Sequence, residues 1–174
     1  MEVVIDSNVL FRTLISAGEI SDIIFNDSLE IFAPIKLKEE FIKHKDEILE
    51  KSKLSNEDFA ELESLLFERI TFVPLERYRI FIPKAKEILG MHIKDENFIA
   101  LSLSKGIKLW TYEDLLFKIG IGISTKQISE ELSRFSEDNF IVSSHEQVQQ
   151  VRQVQEFQLW HVRAFVQESE QFPN

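Results

Sequence analysis

Apolar and polar positions change period repeatedly along this chain, and the changes mark its elements. The run Val3-Val4-Ile5 closes on Asp6. It reads as a buried parallel strand that delivers a carboxylate to the carboxyl edge of a sheet. Val9, Leu10, Thr13 and Leu14 then recur at helical spacing, predicting a helix from Ser7 to about Ser16, with Ser7 and Asn8 suited to its N-cap region. Ile20 to Phe25 predicts a short second helix, and Leu29 to Ala33 a second strand stopped by Pro34. A highly charged helix follows from Ile35 to Lys53, its apolar side formed by Leu37, Phe41, Ile48 and Leu49. Ser55 caps the next helix, which runs through Phe67, and Ile70 to Val73 is a third strand ended by Pro74. Residues 78–81 show no clear period. Pro83 opens a helix that Gly90 stops. Asp95 precedes a helix carrying Phe98 to Leu103, and Ile107 to Trp110 is a fourth strand. A short helix over 115–119, a final strand or turn over 120–123 and a last helix from Thr125 to Phe135 complete the regular part.

Strands alternating with helices predict an α/β fold: a three-layer αβα arrangement with a central parallel sheet of four to five strands, joined by right-handed crossovers. Residues 1–135 are expected to form this domain. The composition changes at about Ser136: no lysine follows Lys126, and glutamine becomes dense, as at Gln149, Gln150, Gln153 and Gln155. Val148, Val151, Val154, Leu159, Val162 and Val166 supply an apolar stripe. Residues 136–174 therefore read as a Gln-rich helical extension that packs on the domain, makes a homodimer, or offers a groove to another protein.

The formal net charge of -10 argues against a protein that holds nucleic acid by bulk electrostatics. Either the acids are a solvated surface, or some converge on divalent ions, which reverse the local field where a phosphate must bind. The chain has no cysteine, which excludes disulfides and thiolate zinc sites. No apolar run approaches the roughly 20 residues of a membrane span, and the chain begins directly with a strand. It is expected to be cytoplasmic, with no membrane association. Histidines 44, 92, 145 and 161 show no metal-ligand spacing. The 15 phenylalanines read as core, and Trp110 as a buried residue or a surface for base stacking.

Several acids lie where strands end or on helices that face those ends. Asp6 ends the first strand, Glu113 and Asp114 follow the fourth, Asp95 opens the helix before it, and Glu40 adjoins apolar Phe41. Any one of them is more often a surface residue or a cap. Crowded carboxylates, however, cannot all ionise without a counter-charge, and hard oxygen donors suit Mg²⁺ or Mn²⁺. Four such acids suggest metal-assisted phosphodiester hydrolysis. Lys36, Lys38, Lys43, His44 and Lys45 flank Glu40. They form a solvated helix face or, with Lys38 and Lys43 foremost, contacts to a nucleic-acid backbone.

The segment Val4-Ile5-Asp6-Ser7-Asn8-Val9-Leu10 resembles the opening of small PIN-domain nucleases, whose first strand ends in Asp-(Ser/Thr)-Asn. Lys38-Glu39-Glu40-Phe41 is similar to that family's second acid, with Glu40 better spaced to Phe41 than Glu39 is. Asp95-Glu96-Asn97-Phe98-Ile99-Ala100 resembles the third, and Leu109-Trp110-Thr111-Tyr112-Glu113-Asp114 the fourth, an apolar strand followed by Thr-x-Asp. Here the chain departs from the pattern: Glu113 stands where the family has Asp, with Asp114 beside it as the alternative. The resemblance implies that Asp6, Glu40, Asp95 and Glu113 (or Asp114) are catalytic and hold one or two Mg²⁺ or Mn²⁺ ions. Ser7, Asn8 and Thr111 would orient them. It further implies a single-stranded RNA substrate and, for a protein of this size, the toxin half of a toxin–antitoxin pair with an antitoxin partner. The alternatives are an RNA-processing nuclease, or a weakened or inactive scaffold that binds protein or RNA.

Overall fold

The computed structural model describes residues 1–16, 18–90 and 96–134. Met1–Leu132 forms one compact unit, described below, and Ser133–Asn174 a second, of which only 133 and 134 are described. The extension expected over 136–174, with His145 and His161, lies outside the described residues, as do His92 and Asp95.

Five strands form one all-parallel sheet: β1 (Glu2–Ile5), β2 (Glu30–Pro34), β3 (Ile70–Val73), β4 (Lys108–Trp110) and β5 (Gly122–Ile123), in the order β3-β2-β1-β4-β5. Between β1 and β2 run α1 (Ser7–Ile15) and α2 (Glu19–Ile24); between β2 and β3, α3 (Lys36–Ser52) and α4 (Asn56–Arg69). The path then crosses to the far side of β1 through α5 (Ile82–Leu89) and α6 (Glu96–Lys105), and α7 (Asp114–Lys118) links β4 to β5. An eighth helix, α8, opens at 125 and continues through 134. Right-handed crossovers place helices on opposite faces when the direction of travel reverses. Accordingly α1 packs with α3 and α4, whereas α6 packs with α5 and lies against β1, β2 and β4. The sheet reverses its order between β1 and β4, and ligands of open α/β sheets bind at such a point.

The continuous apolar runs predicted as strands are the buried ones: Val3, Val4 and Ile5 on β1 and Leu109 and Trp110 on β4 have no exposure. Trp110, fully buried, offers no face for base stacking, and its indole N–H donates to Thr125 Oγ1 at 3.0 Å. Phe11, Phe41, Phe67 and Phe72 form a chain of ring contacts from α1 through α3 and α4 to β3, with centroids 6.5, 5.1 and 5.5 Å apart. The Arg69 guanidinium donates to the carbonyls of Ile24, Asn26 and Leu29 at 3.0, 2.8 and 3.0 Å, tying the end of α4 to the turn that enters β2.

Three local expectations change. Pro34 does not stop β2 but belongs to it, opposite Val73. Ile35 N–H donates to Val73 O, so the Pro34 nitrogen points the other way, beyond the last residue that β1 pairs with β2. No donor is missed there. The N-cap of α1 is Asp6 rather than Ser7 or Asn8, because the chain stays extended through Asp6 (φ -81°, ψ 150°). Residues 78–81, without a clear period, fall in a stretch of two single 3₁₀ turns, Leu75–Arg77 and Arg79–Phe81. Among the described residues, no helix is long and apolar enough to cross a membrane.

Candidate metal centre

Asp6 is where β1 becomes α1. Its backbone N–H continues the sheet by donating to Trp110 O at 3.0 Å, while its carbonyl accepts the first helical bonds from Val9 and Leu10. The side chain is 2% exposed. Its Oδ2 accepts from Thr111 Oγ1 at 2.8 Å, and its Oδ1 from Ser7 Oγ at 3.3 Å and Asn8 N at 3.5 Å. Thr111, just past β4, in turn accepts from the Glu113 backbone N–H at 3.2 Å. A short relay thus connects Glu113, Thr111 and Asp6 across the β1–β4 junction. These donors hold the Asp6 charge, yet burial outweighs them and pushes its carboxyl above the usual value of 3.8.

Glu40 reaches the same place from α3 and is half-buried. Burial raises its carboxyl above 4.5; Lys36, a hydrogen bond from Ser7, and Lys43 pull it down, and the neighbouring Asp6 charge pushes it further up. The Ser7 hydroxyl therefore lies between two carboxylates and has one hydrogen to give. Among the described residues, neither acid forms an ion pair within 4 Å.

A cleft of about 670 Å³ opens beside this pair, between α1 and α3. Ser7, Asn8 and Phe11 line it from α1, and Lys36, Glu40, Lys43, His44, Glu47 and Lys51 from α3. Glu113, exposed at the N-cap of α7, lines it as well, whereas Asp114, also exposed, does not. Glu39, the neighbour of Glu40, lines a different cleft. At the far end the Glu47 carboxylate is held by Lys51 at 2.5 Å and His44 at 3.6 Å, which lower its pKa.

Of the sequence-predicted site residues, the structure brings together Asp6, Glu40, Ser7, Asn8, Thr111 and, at the cleft wall, Glu113 and Lys43. Lys38 does not join them. Two residues on a helix are turned about 200° apart, so Lys38 leaves the face of Lys36 and Glu40 and places its ammonium 4.2 Å from the centroid of Phe72. Lys45 is likewise occupied, by Glu63 at 2.6 Å on α4. Lys36, named from sequence among the flanking lysines, lines the cleft instead, as does Lys51, which the sequence reading did not name and which Glu47 holds. The recurrence 36, 40, 43, 47, 51 on one helix face was the available signal.

The donor set suits a hard divalent cation: buried and half-buried carboxylate oxygens, both raised by burial and Glu40 also by the Asp6 charge, with hydroxyl and amide donors fixing their orientation. Among the described residues, no three acid or histidine side chains gather closely enough to hold a metal ion. The described nucleus is the Asp6–Glu40 pair, with Asp95 outside the described residues.

A family model described as PIN domain matches residues 4–156 of the chain. A comparison with curated proteins returned no match.

Proposed function

The chain belongs to the PIN-domain family, a family generally of nucleases, and on that premise we propose that it is a Mg²⁺- or Mn²⁺-dependent endoribonuclease acting on single-stranded RNA. The observation that supports this most is the meeting of Asp6 and Glu40 at the strand-order reversal, both raised in pKa and neither ion-paired among the described residues. Asp6, Glu40 and Asp95 would hold the ion, with Glu113 as the fourth acid and Asp114 as its alternative. When bound, a divalent ion supplies an activated water and neutralises charge developing at the scissile phosphate. The chain's own residues do the rest. Thr111 and Ser7 orient the carboxylates, Asn8 donates its backbone N–H to Asp6, and Lys36 and Lys43 on the cleft wall attract the phosphate backbone.

The test is cleavage of single-stranded RNA by the purified protein in Mn²⁺. Activity is expected to disappear in excess chelator and to fall in Asp6→Asn and Glu40→Gln beyond the ~10–100-fold that loss of a mere orienting partner costs. Persistent cleavage without metal would overturn the mechanism. Comparing Glu113→Gln with Asp114→Asn assigns the fourth acid.

A second reading is a weakened scaffold that binds RNA or protein. It is supported by the exposed Glu113 in place of the family's Asp and by the absence of a three-acid cluster among the described residues. Calorimetric titration separates the two, since the scaffold binds no Mn²⁺ at millimolar concentration. Within the nuclease reading, a toxin of a toxin–antitoxin pair is proposed over an RNA-processing enzyme. Residues 136–174 would then engage an antitoxin or a second copy, and co-purification of a small partner encoded beside it is the check.

A further inference from the structure

The helices α1 and α3 follow the adjacent parallel strands β1 and β2 and pack on each other. They therefore run the same way, and their facing residues form rungs four positions apart. Ser7 reaches Glu40 on the first rung. Phe11 meets His44 on the second, with ring centroids 5.7 Å apart and planes tilted by 52°. Ile15 and Ile48 stand at the third, and all six residues line the same cleft. The cleft is thus polar at the carboxylates, aromatic one helical turn further along, and aliphatic beyond. Phe11 is anchored by Phe41, 6.5 Å away, whereas the His44 side chain keeps 53% of its exposure. Glu47 touches that imidazole only at Nδ1, 3.6 Å away. A contact at a ring nitrogen lies at the edge of the ring and does not cover its faces.

A phosphate gains nothing from a phenyl ring and two isoleucines, but a nucleobase does. Every base has a π-face, and its stacking on an aromatic side chain does not depend on sequence. The same cleft carries Lys36 and Lys43, the latter being the residue before His44. Those ammonium groups attract a polyanion, and the rings offer its bases a place to turn inward. An apolar protein segment would fit the rings and leave the lysines without a counter-charge. One helical turn advances about 5.4 Å, and stacked bases of one strand are about 3.4 Å apart. The rings accordingly meet a base about one or two positions from a phosphate held at Asp6 and Glu40. We propose that Phe11 and His44 form a base-stacking subsite that holds a nucleotide of the RNA strand beside the scissile bond, whatever its base. The inference rests on the RNA-binding part of the reading above. It makes His44 a contact to a base, not to the backbone that the neighbouring lysines would hold.

The experiment compares two RNA decamers of equal charge, one of uridines and one of abasic nucleotides. Their binding to the full-length protein is measured by fluorescence anisotropy at low salt with chelator present, so that no cleavage is required. The wild type is expected to prefer the uridine strand, and the preference to fall about tenfold in His44→Ala. His44→Phe, which keeps a ring, should retain the preference, and His44→Lys, which keeps only a cation, should lose it. A second readout uses an abasic strand carrying a single 2-aminopurine, whose fluorescence is quenched by stacking. Quenching is expected with the wild type and His44→Phe and not with His44→Ala or His44→Lys. These results support the subsite even if the wild type never cuts RNA in Mn²⁺, an outcome that removes the nuclease reading alone. Equal binding of the two strands, absence of RNA binding, or a preference that His44→Ala leaves unchanged overturns the proposal. So does wild-type behaviour of His44→Lys, which would make His44 a backbone contact. His44 is exposed, and thermal unfolding verifies that each variant is folded.

Discussion

Asp6 performs three tasks with one side chain: it caps α1, ties β1 to the end of β4, and presents a carboxylate at the reversal of the sheet. The first two need an acceptor; only the third needs a charge. Asparagine keeps an acceptor and is an equally good cap, so Asp6→Asn separates the tasks. Burial raises the carboxyls of Asp6 and Glu40 above 3.8 and 4.5. Between those ordinary values and the raised ones, the unfolded chain has released protons that the folded chain still holds. Stability contributed by these groups therefore falls as pH rises through that window and is lowest above it. Metal-free Asp6→Asn is expected to be more stable than the wild type at neutral pH, with a flatter dependence on pH, while losing cleavage. Urea unfolding followed from below pH 3.8 up to neutral pH checks this; identical pH slopes in the two proteins across that range would refute it.

At the scale of elements, α3 divides its charges by face. Lys36 and Lys43 line the cleft beside Asp6 and Glu40, Lys38 covers Phe72, and Lys45 is held by Glu63. Lys36→Gln and Lys43→Gln should each weaken RNA binding and reduce the slope of log K against log salt by about 0.7. Lys38→Gln should leave both unchanged, and a salt titration of binding measures all three. Sequence reasoning found the helix and its buried stripe, because Leu37, Phe41 and Ile48 keep a 3.6-residue period that survives any tertiary setting. It did not find which flank of that stripe faces α1 and which faces α4 and β3. That choice is made by the crossover geometry, not by α3 itself. The strands were legible for a similar reason: a strand buried on both faces must be apolar throughout, as at Val3-Val4-Ile5. Pro34 misled because a proline's cost in a sheet depends on which neighbour its nitrogen faces, and this is unknowable before β1 and β3 are placed around β2. Glu40 over Glu39 was decided by one residue of helical phase relative to Phe41. The preference for Glu113 rested on register with Thr111, and the structure puts Glu113, not Asp114, on the cleft wall.

For the molecule as a whole, a formal charge of -10 is unfavourable to RNA except where lysines and a divalent ion reverse it locally. Metal binding should accordingly stabilise the fold, by about 2.7 kcal/mol at a concentration 100 times Kd. The melting temperature is expected to rise in Mn²⁺ for the wild type and far less for Asp6→Asn, read by differential scanning fluorimetry. The bond from Thr111 to Asp6 spans 105 positions of the chain, and it exists only because β4 pairs with β1. On the ribosome β1 is made before the other four strands of its sheet, yet one of its two edges waits for β4, which is synthesised after most of the domain. Closing so long a loop is entropically costly and kinetically slow. The Asp6 carboxylate thus stays without its threonine partner until strand four arrives, so a growing chain that has not yet reached Thr111 carries this acid without the residue that orients it.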